Sequence, residues 1–219
     1  MPISKFHEFP SKEDLAKSFA QDVSRELMVA LSDAGLARLA VSGGSTPKVF
    51  FDHLSREALD WKNVQVMLVD DRCVPADHER SNQLFVRQNL LKNQAVNADF
   101  GPLENNEADF THAIDYLVLG MGTDGHTASF FPNGDTLAAA TDVNSKQHVL
   151  ELTAPGAAEP RVTMTLPVIA SATHIALHIE GDEKRQVFDE AMKDGPADDL
   201  PIRHVLRHPD VEIEVYWTS

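Results

Sequence analysis

The sequence predicts an α/β protein whose core is a mainly parallel sheet flanked by helices. Two observations carry that prediction. Short, near-continuous apolar runs recur along the chain, as strands buried on both faces must read. Most of these runs lead through a glycine- or aspartate-rich turn into a stretch of helical spacing, the alternation expected of parallel strands joined by crossover helices.

The elements follow in order. From Ser11 to Leu31, Leu15, Phe19, Val23, Leu27 and Leu31 make an i, i+4 stripe, Ser11 and Asp14 suit a capping box, and Gly35 ends the helix. Leu36 to Val41 reads as a buried strand entering a glycine turn. In TPKVFFDHL, Thr46 is placed to cap a helix, Pro47 suits its first turn, and Val49, Phe50 and Leu54 supply an apolar face. VQVMLVDD, from Val64, is a second strand ending in two aspartates. HERSNQLFVRQNLL reads as a helix entered after Pro75, with Leu84, Leu90 and Leu91 on its apolar side.

Asn93 to Phe110 is polar and reads as an irregular excursion. AIDYLVLGMG is a third strand-to-glycine unit, QHVLELT a fourth strand, and APGAAEPR a loop. RVTMTLPVIASA passes from β-branched alternation to a short helix after Pro167. THIALHIEG is a strand and DEKRQVFDEAM a helix. Leu200 to Leu206 suits a short helical segment, and VEIEVYW closes the chain as an alternating strand.

With 219 residues the chain is expected to form one domain, 1–219, around a single good core. Acidic side chains number 34 against 19 basic, for a formal charge of -15. That field argues against non-specific binding to nucleic acid or anionic membranes, yet a few arginines in a cleft can still hold a small anion. Cys73 is the one cysteine, which fits a reducing compartment. No export segment is read at the N-terminus and no run approaches a membrane span, so a soluble cytoplasmic protein is expected, with no obligate protein partner indicated.

In parallel sheets chemistry gathers beyond the carboxyl ends of the strands. Five segments are predicted to meet there: SGGSTP, DDR, GMGTDGH, the turn holding Arg161, and GDEK. SGGSTP suits a compact anion such as phosphate at a helix N-terminus, or simply a capped turn. It lacks both the dinucleotide fingerprint and the P-loop lysine, so no nucleotide cofactor is expected. Arg72 follows two acids and could direct its fork at phosphate or pair on the surface. In GMGTDGH the glycines permit close approach to a ligand, and Asp124 could orient His126. An imidazole, with an ordinary pKa of about 6.5, suits general-base work on water. No histidine, cysteine or acidic spacing matches a metal site, and G-x-S-x-G is absent.

SGGSTP, DDRCVP with its following SN, GMGTDGHTASFFP, RVTMTLPVI and GDEK occur in the order seen in the 6-phosphogluconolactonases, and the chain resembles that family in its short bacterial form. The family lies in the glucosamine/galactosamine-6-phosphate isomerase-like group, with glucosamine-6-phosphate deaminases and ribose-5-phosphate isomerases, and the resemblance implies a modified Rossmann-like fold. It assigns Ser42, Gly43, Gly44, Ser45 and Thr46 to a sugar-phosphate loop, and Arg72, Arg161 and Lys184 to basic positions around it. His126 takes the place of the catalytic histidine, with Asp124 beside it. Asp71 stands where glutamate is commoner, and His78 and Asn82 match the segment after the arginine.

The deaminases carry a glutamate where this chain has Phe131, and a phenyl ring cannot relay a proton. The resemblance therefore implies hydrolysis of 6-phospho-D-glucono-1,5-lactone by water activated at His126, with no metal or organic cofactor required. An amino-sugar-phosphate deaminase or isomerase, and a non-catalytic sugar-phosphate sensor, are the alternatives.

Overall fold

The computed structural model describes residues 3–104 and 110–219, so residues 105–109 of the polar excursion lie outside the described residues. The chain opens with a strand that the sequence reading did not anticipate, β1 (Ile3–Phe9). Then α1 (Lys12–Ala34) buries Leu15, Phe19, Val23 and Leu27 completely. Ser11 caps it, its Oγ accepting the Asp14 N–H at 3.1 Å while donating to the Asp14 carboxylate at 2.6 Å. Gly35 ends it in the left-handed region at φ 73°, its N–H donating to the Leu31 carbonyl.

Next come β2 (Ala37–Val41), α2 (Lys48–Leu54) and β3 (Val64–Leu68). Thr46 does not cap α2: Pro47 holds the N-cap position, and the Thr46 hydroxyl is taken by Lys184 instead. The run expected to be one strand through the two aspartates breaks at Val69, and β4 (Asp70–Arg72) enters a different sheet. The helix expected from His78 starts later, as α3 (Asn82–Asn89) with Ser81 as its cap, because His78 to Ser81 turns back on itself through Ser81 N–H to the His78 carbonyl.

The remaining elements are β5 (Asp99–Phe100), β6 (Tyr116–Leu119), α4 (Leu137–Ala140), β7 (Val149–Leu152), β8 (Arg161–Met164), α5 (Leu166–Ala170), β9 (His174–Glu180), α6 (Asp182–Ala191), α7 (Ile202–Leu206) and β10 (Ile213–Thr218). Seven strands form one sheet in the order β1-β10-β9-β6-β2-β3-β5, with every neighbouring pair parallel. Both faces are covered. Along β6, Tyr116 and Val118 join one apolar cluster while Leu117 and Leu119 join the other, as the two-residue pleat requires.

A smaller antiparallel sheet, β4-β8-β7, carries Arg161. This corrects the expectation for that residue. Arg161 is the first residue of β8, not a turn at the carboxyl end of a parallel strand. It still reaches the same region, because its antiparallel partner Arg72 follows almost directly on the carboxyl end of β3.

The large sheet also sets where a ligand can enter. From β2 the chain builds outward through β3 and β5, then returns to pair β6 with the other side of β2. The loops leaving β2 and β6 therefore diverge at a topological switch point, where open α/β sheets form their crevice.

Candidate active site

A cavity of about 390 Å³ lies at that switch point. Its wall takes in Ser42 to Pro47 after β2, Gly120 to Gly122 and His126 after β6, Arg72 on β4, Arg161 on β8 and Lys184 in the first turn of α6. Ser42, Gly43, Gly44, Ser45, Thr46, Arg72, Arg161, Lys184 and His126 thus share one cavity, although 142 positions separate the first from the last. Asp124 stands behind His126.

The two share a short bond, His126 Nδ1 to Asp124 Oδ1 at 2.5 Å, and the same oxygen accepts the His126 N–H at 3.2 Å. Occupying Nδ1 leaves Nε2 as the ring nitrogen available for a water. Burial pushes the Asp124 carboxyl up, but the hydrogen bond and charge of His126 outweigh it and hold the carboxyl below its ordinary range. Gly122 is required by this contact. A Cβ there would lie 2.2 Å from His126 Nδ1 and 2.6 Å from Asp124 Oδ1.

At the other end, Lys184 Nζ donates to Thr46 Oγ1 at 3.2 Å, joining the loop after β2 to α6. Burial lowers the Lys184 pKa, so its charge lacks full solvation and gains from an incoming anion. Ser42 Oγ is buried without a hydrogen-bond partner among the described residues. Gly43 is tightly constrained, since a Cβ there would stand 2.1 Å from Asn82 Oδ1. Asn82 is therefore part of the cavity wall, and its Nδ2 donates to the Asp70 carbonyl at 2.8 Å.

Arg161 is nine-tenths buried, and its guanidinium carbon lies 5.4 Å from the centre of the Phe131 ring. Burial and then the like charge of Arg72 lower its pKa. Arg72 donates from Nη1 to the Arg80 carbonyl at 2.5 Å, yet the Nε atoms of both arginines are buried without a partner among the described residues. Asp70 supplies part of the counter-charge. Burial raises its carboxyl pKa against the opposing pull of the Ser129 hydroxyl, which donates to it at 2.6 Å, and of Arg161, Arg72 and His126.

Sequence reasoning gave no part to the Asp70–Ser129 pair, nor to His178, which lines the cavity from β9. Asp70 was visible as half of an acidic doublet, but His178 offers no signal beyond one imidazole in an apolar strand. Asp71 has a role of its own. Its carboxylate accepts the Asn82 N–H at 2.6 Å and the Gln83 N–H at 3.0 Å, clamping the N-terminus of α3. His78 is half-buried and accepts the Arg80 N–H, outside the cavity wall. No group of three or more histidine, cysteine or acidic side chains that could hold a metal ion occurs among the described residues.

A family model described as glucosamine-6-phosphate isomerases/6-phosphogluconolactonase matches residues 10–217. The chain belongs to this family. Within the glucosamine-6-phosphate isomerase/6-phosphogluconolactonase family it is 44% identical to the 6-phosphogluconolactonase of Rhizobium meliloti strain 1021, over 98% of each chain. The crystal structure of a 6-phosphogluconolactonase from Shewanella baltica OS155 superposes with a TM-score of 0.92 at 34% identity, covering 98% of this chain and 97% of that one. A monomeric glucosamine-6-phosphate deaminase superposes at 0.74 with 19% identity, over 98% and 97% of the two chains. Proteins named for different chemistry share this fold, so the side chains in the cavity must separate them.

Proposed function

We propose that the chain is a 6-phosphogluconolactonase, hydrolysing 6-phospho-D-glucono-1,5-lactone to 6-phospho-D-gluconate. The observation that carries this reading is His126, bonded at Nδ1 to Asp124 behind it, in one cavity with the Ser42–Thr46 loop and three basic side chains. The names of its near relatives support it. In this mechanism the phosphate of the substrate sits at the loop, taking backbone N–H groups and the Lys184 ammonium. Arg161 and Arg72 belong to the other end, because Arg161 lies over the same ring on which His126 stacks. Their charge meets the oxyanion that develops at C1.

Chemistry proceeds in two proton transfers. His126 takes a proton from water through Nε2 as the oxygen attacks C1, and Asp124 steadies the imidazolium that forms. The tetrahedral intermediate then collapses, the C1–ring oxygen bond breaks, and the imidazolium protonates the departing oxygen. The product is the open-chain acid, which ionises to the carboxylate. General acid–base help of this kind is worth roughly 10²- to 10⁴-fold.

The test is to incubate the purified protein separately with fresh 6-phosphogluconolactone, glucosamine 6-phosphate and ribose 5-phosphate, subtracting spontaneous lactone hydrolysis. Hydrolysis of the lactone alone is the expected result. Turnover of either sugar phosphate without lactone hydrolysis would assign the deaminase or isomerase branch, and binding without turnover would assign a sensor. No described helix is long and apolar enough to cross a membrane.

A further inference from the structure

Phe131 touches both parts of the catalytic apparatus and has no chemistry of its own. Its ring stacks on His126 with centroids 4.2 Å apart and planes 22° apart. The Arg161 guanidinium carbon stands 5.4 Å from the centre of the same ring. Phe131 is itself 4% exposed and forms part of the cavity wall. We propose that Phe131 is a positioning residue for the reaction, its ring serving as a shared platform that fixes the plane of His126 and the head of Arg161.

This inference rests on the catalytic reading of His126 given above. Among the described residues the His126 ring has one hydrogen bond, at Nδ1, to an aspartate whose side chain is 42% exposed. A single bond on one ring atom fixes a distance but leaves the imidazole free to tilt about that bond. A flat apolar face 4.2 Å away removes the tilt and keeps Nε2 on one line of approach to the water. When the ring becomes imidazolium, the same face remains favourable to it, because an aromatic quadrupole attracts a cation. Arg161 needs a support for a different reason. Its Nε is buried without a partner among the described residues, and a π face accommodates a guanidinium without neutralising it. Its charge therefore stays available to the reaction.

The turn that carries Phe131 is built to hold the ring still. Ala128 and Asn133 on either side adopt left-handed backbone at φ 49° and 59°. Phe131 N–H donates to the Ser129 carbonyl at 3.0 Å, and Gly134 N–H donates to the Phe131 carbonyl at 3.1 Å. The backbone that carries the ring is thus fixed, and burial of the side chain to 4% exposure confines the ring itself, as a residue that orients others requires.

Steady-state kinetics on fresh phosphorylated lactone, with Phe131→Leu, Phe131→Tyr and His126→Asn beside the wild type, test the proposal. Phe131→Leu should lower kcat about tenfold or more, with KM within about threefold, since misplacing a reacting group acts on the chemical step. Phe131→Tyr keeps the face and should remain within about threefold of the wild type. Proton NMR of the His126 ring gives a readout independent of activity. Its resonances should move downfield in Phe131→Leu, where the ring current is lost, and stay in place in Phe131→Tyr. Wild-type kcat in Phe131→Leu, equal losses in both Phe131 variants, or a kcat loss with unmoved His126 resonances would each overturn the proposal. Should Phe131→Leu not fold, Phe131→Met keeps most of the volume without the flat face and is read the same way. Wild-type kcat in His126→Asn would instead remove the catalytic reading on which the inference rests.

Discussion

Arg72 and Arg161 stand directly opposite each other across the antiparallel β4–β8 pair. Like charges in facing positions disfavour a sheet, and here burial lowers the Arg161 pKa further. Asp70, buried beneath them, offsets only part of that charge. On the function proposed above, the pair meets an anion, either a ligand group or charge that forms during reaction.

The two ends of the cavity should therefore separate in kinetics. Lys184→Ala should reduce kcat/KM for the phosphorylated lactone roughly tenfold to over a hundredfold, from a charge-assisted bond worth about 1.5–3 kcal/mol, and leave unphosphorylated gluconolactone nearly unaffected. Arg161→Ala should reduce both lactones alike, as befits a group at the carbonyl. A selective loss in Arg161→Ala would move the phosphate to the arginine pair.

His126→Asn should cut kcat roughly 10²-fold or more while product affinity and Tm stay close to wild type, because asparagine cannot act as the base. Gly122→Ala should approach that loss by another route, its Cβ displacing the imidazole from Asp124. Product binding by calorimetry, Tm and corrected turnover on one preparation distinguish lost chemistry from lost folding.

Asp124 should also leave a mark on stability against pH. Its carboxyl is held below its ordinary range in the fold. The ionised form accordingly adds stability above the unfolded pKa of about 3.9, and that contribution disappears as pH falls through the depressed folded value. Asp124→Asn should lower Tm modestly near neutrality, and the gap to wild type should close in acid. Thermal melts of both proteins from pH 7 downward check the sign; a gap that widens in acid would contradict it.

Exhaustive chelation should leave lactonase activity unchanged, because the proposed mechanism activates the water by imidazole and not by a Lewis acid. Assays after dialysis against chelator, with and without added divalent ions, provide the measurement. Activity lost to the chelator and restored by one metal would replace His126 as the source of the nucleophile.

Much of this architecture is legible in the sequence. Ala37 to Val41, Val64 to Leu68 and Tyr116 to Leu119 announce themselves because strands buried on both faces are mostly apolar, with Arg38 and Gln65 the polar interruptions. The strand Ile3–Phe9 does not, since it lies at the sheet edge with one partner and leaves Lys5 and Glu8 exposed to water. The break at Val69 is equally silent. Residues on either side are buried, and burial does not say in which of two sheets.

By itself the sequence determined the fold class, the family pattern and the types of side chain available, because periodicity and local turn chemistry act within a few residues. It paired His126 with Asp124, two positions apart, for the same reason. Only the tertiary structure decided which distant groups meet. Thr46 gives up its expected cap to Lys184, 138 residues away. Arg161 reaches the site from the start of an antiparallel strand, where it faces Arg72. Asp71 clamps α3, and the ring of Phe131 packs against both His126 and Arg161. Strand order and register set these contacts, and a chain's local pattern does not encode which strand will lie beside which.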